Sequence, residues 1–257
     1  MSERSNLVKS VIKALDLMEV LAGKGELSIG ELNDHLGWDK STIHRLLSTL
    51  REKGYVQQNS QNQKYRAGIK MFEIGNQVVE RLGFRRQCQP YLESLAAMTK
   101  ETVNLAVRDG KDIIYIDKIE SSATIKVDLA VGKRLPMYCT GLGKAILAHM
   151  PEQEALKILQ SESMIAHTPK TLVTLEAIQE QLALIRQKGY SLDDEEYVEG
   201  LVCVAAPIRN HRGEVMAAIS IAVPQYRFDE GERTLHYTQK VAETAGKISS
   251  ELVGFQL

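Results

Sequence analysis

Residues 39–50 read Asp39-Lys40-Ser41-Thr42-Ile43-His44-Arg45-Leu46-Leu47-Ser48-Thr49-Leu50. On a helix of 3.6 residues per turn, Ile43, Leu46, Leu47 and Leu50 fall on one side, and Ser41, Arg45 and Ser48 fall on the other. Thr42, His44 and Thr49 flank that outer side, and Asp39 stands where an N-cap is expected. The apolar side calls for a core to pack against. The other side gathers small hydroxyls, an imidazole and a guanidinium, which suit the major groove of duplex DNA. Arg45 has the fork that matches guanine O6 and N7, and His44 can donate to a base or a phosphate. Ser41 and Thr42 lie near the helix start, where phosphates and base edges come within reach.

The flanking sequence supports the same reading. Upstream, Ser28 and Glu31 form a capping box, Ile29, Leu32 and Leu36 supply an inner face, and Gly37 ends the helix. Before that, Val8, Val11, Ile12, Leu15, Met18 and Leu21 recur at three- and four-residue intervals, which predicts one buried face over Leu7–Ala22, stopped by Gly23 and Gly25. Downstream of Gly54, the segments 55–58 and 63–66 flank the polar turn 59–62 and read as a hairpin. Three helices followed by a hairpin describe a winged helix-turn-helix over residues 1–68, with the helix-turn-helix at about 28–50. Lys40, Lys64 and Arg66 are its expected phosphate contacts.

Residues 69–82 read as a linker helix. Its apolar residues Met71, Phe72, Ile74, Val78, Val79 and Leu82 nearly encircle it, which predicts a dimer contact. A further helical pattern over 84–99 carries Tyr91, Leu92, Leu95 and Met98. Beyond residue 100 the texture changes to short β-rich runs, at 103–107, 113–119 and 124–131, with a turn at Asp109-Gly110-Lys111. Helical patterns follow at 144–150, 152–160 and 175–188. Strands at 201–208 and 215–223 then join around His211-Arg212-Gly213, and a last helix runs from about 229 to 252. The expected fold class is α+β, with a second domain over 83–257 built on a mostly antiparallel sheet.

Composition narrows the function classes. The chain has 257 residues, 44% of them hydrophobic, which is enough for two packed domains. The formal net charge is −1. Residues 1–66 hold ten Lys or Arg against eight Asp or Glu, so DNA affinity has to come from local placement and not from bulk charge. The first residues carry no apolar signal core, and the longest apolar runs are too short to cross a bilayer as a helix, so a cytoplasmic protein is expected. Cys88, Cys139 and Cys203 are widely spaced and odd in number, which fits neither a disulfide framework nor a zinc site. No cofactor is expected.

The ordered set Lys40–Leu47 with Leu50 and Gly54-Tyr55, Lys64-Tyr65-Arg66, Gly132–Pro136, Thr140–Ala145, Gly189-Tyr190, Asp193–Glu196, Gly200–Pro207 and Ala218–Ile221 resembles the IclR family of bacterial transcription regulators over nearly the whole chain. That resemblance implies a C-terminal effector domain of GAF-like architecture, in which a small organic acid binds against the sheet and alters operator binding. By similarity, Gly141, Leu142, Asp193, Cys203 and Ser220 match effector-contact positions. Ala222 stands where some members have a second serine. The resemblance also implies a homodimer that pairs into a tetramer.

The residues have their own physical reasons for such a site. The N–H groups of Gly141-Leu142-Gly143, ahead of an apolar helix, can receive a carboxylate. Asp193 can accept a ligand hydroxyl, Cys203 and Ser220 lie on neighbouring strands, and Val127, Leu135 and Leu201 are candidates for an apolar wall. Plainer readings stand beside these. The glycines also suit a tight turn, Cys203 a core thiol, and Asp193–Glu196 a solvated turn. The expected function is a repressor of a carboxylate or sugar-acid catabolic operon. A metabolic enzyme with an appended DNA-binding domain is the alternative, and an adaptor that only dimerises is a third. Against an enzyme, Gly141-x-Gly143-Lys144 lacks the first glycine of a phosphate loop and has Ala145 where a magnesium-binding hydroxyl belongs. Nothing in the sequence fixes Cys203 beside His149, His167 or His211.

Overall fold

The structure, a computed structural model of the chain, describes residues 7–81, 83–121, 130–228 and 231–251. It divides into two compact units, 1–81 and 82–257, and each is considered by itself.

The first unit holds α1 (Lys9–Lys24), α2 (Ile29–Leu36), α3 (Lys40–Glu52), the strands β1 (Val56–Gln58) and β2 (Tyr65–Ala67), and α4 (Lys70–Arg81). The capping box at α2 is formed in full, with Ser28 Oγ accepting from Glu31 N–H and the Glu31 carboxylate accepting from Ser28 N–H. Gly37 ends α2 in the left-handed region at φ 67°, a conformation that glycine adopts without a Cβ penalty. Leu17, Leu21, Leu32, Ile43, Leu47, Leu50, Val56 and Tyr65 form one core. The strands β1 and β2 pair antiparallel, and Leu27 bridges to Tyr65, which ties the start of α2 to the hairpin.

Three expectations for this unit are corrected. The apolar residues of α1 do not form one buried face. Leu17 and Leu21 are buried, whereas Val8, Val11, Ile12 and Leu15 are exposed, because three short helices and a hairpin cover only one side of α1. Gly25, at φ 81°, ends α1, and Gly23 lies inside it. Asp39 occupies the N-cap position of α3 but its side chain makes no capping bond. On α4, Phe72, Ile74 and Val78 are exposed.

The second unit holds α5 (Phe84–Thr99), β3 (Thr102–Asp109), β4 (Asp112–Ile119), β5 (Arg134–Pro136), α6 (Gly141–His149), α7 (Glu152–Ser161), α8 (Leu175–Lys188), β6 (Ser191–Asp194), β7 (Leu201–Arg209), β8 (Val215–Pro224) and α9 (Glu232–Glu251). Its six strands run in the order β5-β4-β3-β8-β7-β6, and every pairing is antiparallel. Because strand side chains alternate between faces, the sheet has two different sides. Val103, Leu105, Val204, Ile219 and Ile221 pack with Phe84, Leu92, Val241 and Ile248 of α5 and α9. Ala106, Tyr115, Ala205 and Ala218 face the other way, into a core with Leu142, Ile146, Leu159 and Leu182 of α6, α7 and α8.

Several sequence expectations shift in this unit. Strands β5 and β6 were not expected. Much of the expected strand 124–131 lies outside the described residues. Met98 is exposed, and Phe84 and Cys88 fill the inner face of α5 instead. Gly141-Leu142-Gly143 do not precede a helix but form the first turn of α6, capped by Thr140, whose Oγ1 accepts from Gly143 N–H at 3.2 Å. Thr140 Oγ1 also donates to Pro136 O at 2.9 Å. A Cβ on Gly143 would overlap the Met137 backbone, so this turn needs glycine for close approach.

Gly143→Ala is therefore expected to destabilise the second unit by about 2 kcal/mol or more in urea unfolding, since neither contacting group is a flexible side chain. Gly246→Ala on α9, where an added Cβ meets nothing within 4 Å, should instead raise stability by about 0.5–1 kcal/mol.

Candidate functional site

Helix α3 presents the first candidate surface. Ile43, Leu47 and Leu50 anchor it in the core, and this turns Lys40, Ser41, His44 and Arg45 outward, all four exposed, with Thr42 half-buried. Among the described residues, the side chains of these five form no hydrogen bond or ion pair. Such a row of unengaged donors on a rigid helix is what groove recognition requires. Thr42, Arg45 and Thr49 also border a groove of about 620 Å³ against Val11, Ala14, Leu15 and Met18 of α1.

The wing departs from expectation. Lys64 Nζ binds Glu31 at 2.9 Å, and Arg66 lies 3.6 Å from Glu26. Glu26 also accepts from Asn59 and Asn62 of the wing turn, which helps hold its carboxyl below the usual range. The Glu31 carboxyl is lowered to about 2, first by the Ser28 N–H of the capping box and then by Lys64. Both expected wing cations therefore already have carboxylate partners. These are weak surface pairs, which a phosphate can displace.

The second candidate site lies where α6 meets the sheet. Asp193 on β6 pairs in register with Cys203 on β7, which pairs with Ala222 on β8. One row along the strands, Ser191, Ala205 and Ser220 are likewise opposite one another. The first turn of α6 sits directly on these rows. A Cβ on Gly141 would lie 3.3 Å from Cys203 Cβ and 3.6 Å from Ala205 Cβ, and Ser191 Oγ donates to Gly141 O at 2.6 Å. Gly141, Leu142, Asp193, Cys203 and Ser220 are thus brought to one face, and Leu201 clusters with Cys203 and Ala222. Leu135 reaches the same side of the sheet from β5, at the far edge from Asp193, in the core that also holds Leu142 and Ala205. Val127 lies outside the described residues.

Asp193 is not part of a solvated turn. It is 3% exposed, and its Oδ1 accepts from Glu196 N–H at 2.8 Å. Burial pushes its carboxyl up to about 7; Lys144 opposes the rise, Glu196 adds to it, and the N–H groups of Glu196 and Gly141 oppose it. The acidic run divides because β6 ends at Asp194 and Glu195, at φ 61°, reverses the alternation. Asp194 and Glu195 turn outward to Lys170, at 3.0 and 2.7 Å, whereas Glu196 turns inward and meets Lys144 in a buried ion pair. Lys144 is fully buried, and its Nζ also donates to Leu192 O at 2.9 Å. This pair was missed in the sequence, although the helical period already placed Lys144 among apolar residues. It also leaves Lys144 with no role as a phosphate ligand.

The carboxylate cradle expected at Gly141-Leu142-Gly143 is largely engaged from within. Gly141 N–H serves Asp193 and Gly143 N–H serves Thr140. Among the described residues only the Leu142 N–H of that turn lacks a partner. Burial raises Cys203 well above the ordinary thiol range, so it is a neutral thiol and not a nucleophile. Among the described residues no group of three His, Cys, Asp or Glu side chains is arranged to hold a metal ion, and no helix is long and apolar enough to cross a membrane.

Two family models match the chain. The one described as the IclR helix-turn-helix domain covers residues 10–60, and the one described as bacterial transcriptional regulator IclR C-terminal covers 76–250. The HTH-type transcriptional regulator XynR of Escherichia coli (strain K12) is 35% identical over 250 residues, spanning 97% of this chain and 98% of that protein. Transcriptional repressor IclR of the same organism is 34% identical over 245 residues, spanning 94% and 89%. The crystal structure of the Thermotoga maritima IclR superposes with a TM-score of 0.79 at 31% identity, covering 95% of this chain and 98% of that one. These relatives are named as regulators, not as enzymes. With α3 presenting a row of unengaged donors and both units matched along their lengths, the chain is a DNA-binding transcriptional regulator that belongs to the IclR family.

Proposed function

We propose that this regulator is a cytoplasmic repressor of a carboxylate or sugar-acid catabolic operon, released by a small organic acid that binds between α6 and the sheet of a GAF-like effector domain. The observation that carries the effector reading is the buried face shared by Asp193, Cys203 and Ser220 under the first turn of α6. Ser220 is 1% exposed and its hydroxyl makes no hydrogen bond among the described residues, and the Leu142 N–H of α6 is likewise open. A ligand with a carboxylate and hydroxyl groups satisfies both. The repressor sign rests on the 34% identical relative, which is named a transcriptional repressor.

Operator contact falls to Arg45, His44, Ser41, Thr42 and Lys40 of α3, with Lys64 and Arg66 exchanging Glu31 and Glu26 for phosphates. The active form is a homodimer that pairs into a tetramer. The exposed Val8, Val11, Ile12 and Leu15 of α1, together with Phe72 and Val78 of α4, supply more apolar surface than a monomer keeps in water. Effector binding alters operator affinity only by favouring one arrangement of the paired DNA-binding units over another.

Three measurements test this reading. On an operator selected from a random-sequence pool, Arg45→Ala should weaken binding by about tenfold or more and relax the preferred base at one position. Retained affinity and specificity would remove Arg45 from the base contacts. Val11→Asp combined with Leu15→Asp should shift the sedimentation of the chain to a smaller species, and unchanged sedimentation would take α1 out of the interface. The third concerns pH. Asp193 has a folded pKa raised from 3.8 to about 7, so between those values the native state holds a proton that the unfolded chain has released, and stability falls as pH rises through that window. Asp193→Asn should remove this slope, so the wild type loses about 1 kcal/mol or more relative to the variant between pH 5 and 7.5 in urea unfolding. Parallel pH profiles would place Asp193 in an environment that does not penalise its charge.

A further inference from the structure

Asn104 occupies the middle of β3, between Val103 and Leu105, both of which point into the apolar core under α5 and α9. Its own side chain therefore points to the opposite, α6-facing side. There it is opposite Ser220 of β8, which is opposite Ala205 of β7, the residue against which the first turn of α6 packs. Asn104 is 1% exposed, and its Oδ1 is buried without a hydrogen-bond partner. Several other polar groups on this face of the sheet are engaged by the fold. Thr102 accepts from Ser121 N–H, Ser191 donates to Gly141 O, and Asp193 accepts from Glu196 N–H. Asn104 and Ser220, opposite one another on adjacent strands, are left over, together with the Tyr115 hydroxyl of β4.

An unpartnered amide oxygen inside a sheet is destabilising, a penalty that an apolar residue of the same shape would avoid. Asn104 and Ser220 have definite requirements. Whichever way its amide is turned, an asparagine presents one acceptor oxygen and two N–H donors. A keto or carboxylate group offers acceptors alone, so only a ligand with O–H or N–H groups satisfies the oxygen. Position adds a length requirement. Strands lie about 4.8 Å apart, so β3 is about 10 Å from β7, where the start of α6 sits, and an acid of two or three carbons is too short to bond at both ends.

We propose that Asn104, with Ser220, is a specificity-determining contact of the effector site, and that it selects hydroxylated acids of about five or six carbons over short keto acids. The inference rests on the effector reading above and adds the ligand's length and its distal hydroxyls.

The test uses the full chain, with thermal unfolding and titration calorimetry against a panel of five- and six-carbon aldonic acids, gluconate and arabinonate among them, and against pyruvate and glyoxylate. The variant is Asn104→Leu, which replaces an unsatisfied amide by an apolar group of similar size. Asn104→Ala, which adds no bulk, gives a second reading if the first folds poorly. The wild type is expected to be stabilised by one or more aldonic acids more than by either keto acid. Asn104→Leu should unfold no lower than wild type without ligand, yet bind that aldonic acid about tenfold or more weakly, the equivalent of one lost buried hydrogen bond. Equal aldonic-acid affinity in variant and wild type overturns the assignment of Asn104 and leaves the effector site standing. Stronger binding of the keto acids overturns the length and hydroxyl requirement, again without touching the wider reading. No response to any acid of either class overturns both.

Discussion

The buried ion pair between Lys144 of α6 and Glu196, just past the end of β6, is the constraint on which the second unit's site depends. Lys144 is fully enclosed and reaches Leu192 O as well as Glu196, so α6 is fastened to the edge of the sheet from inside. Removing one partner of such a pair leaves an uncompensated buried charge and costs about 3–5 kcal/mol. Glu196 is fixed in turn, because the hydroxyl of Thr171 donates to its backbone oxygen at 2.6 Å. Two consequences follow for Asp193. It is held at the first turn of α6, and it has no cation of its own, since Lys144 is already neutralised by Glu196. A carboxyl in that position titrates near neutrality because burial penalises its charge.

The same fastening explains the shape of the candidate pocket. Glycine at 141 eases the approach of the α6 backbone to Cys203 and Ala205, where a Cβ would press at 3.3 Å, and with α6 held close the polar groups of β7, β8 and β3 are enclosed. The sheet face under α5 and α9 is almost wholly apolar, apart from Asp117, which pairs with Arg85 of α5, and serves packing. The opposite face mixes alanines with Asp193, Ser220 and Asn104, so polar groups able to partner a ligand stand among small side chains.

The DNA-binding unit works on a different principle. Its core is small, with two buried residues from α1, one from α2 and three from α3. Stability therefore leans on local devices, the capping box at Ser28 and the left-handed Gly37 among them, which leave the exposed side of α3 free to carry recognition chemistry. The wing's cations are paired with Glu26 and Glu31. The carboxylates of that pairing offset the two wing cations, in keeping with the small net charge of the unit.

The sequence by itself determined the helix-turn-helix, the capping box and glycine stop of α2, and the outward residues of α3. A capping box spans four residues and a helical face repeats every three or four, so their causes lie within the segment that shows them. It also marked β3, β4, β7 and β8 by their apolar character, and pointed to Asp193, Cys203, Ser220 and Gly141. Only the tertiary structure decided what those residues meet. Which stripe of α1 is buried depends on what packs against it. The separation of Asp193 and Glu196 from their outward neighbours follows from β6 joining the sheet edge. Lys144 and Glu196 lie 52 residues apart, and Asn104 reaches Ser220 through the pairing of β3 with β8. Contacts of that kind are set by strand register and by how closely a helix approaches a sheet, and neither leaves a periodic trace in the local sequence.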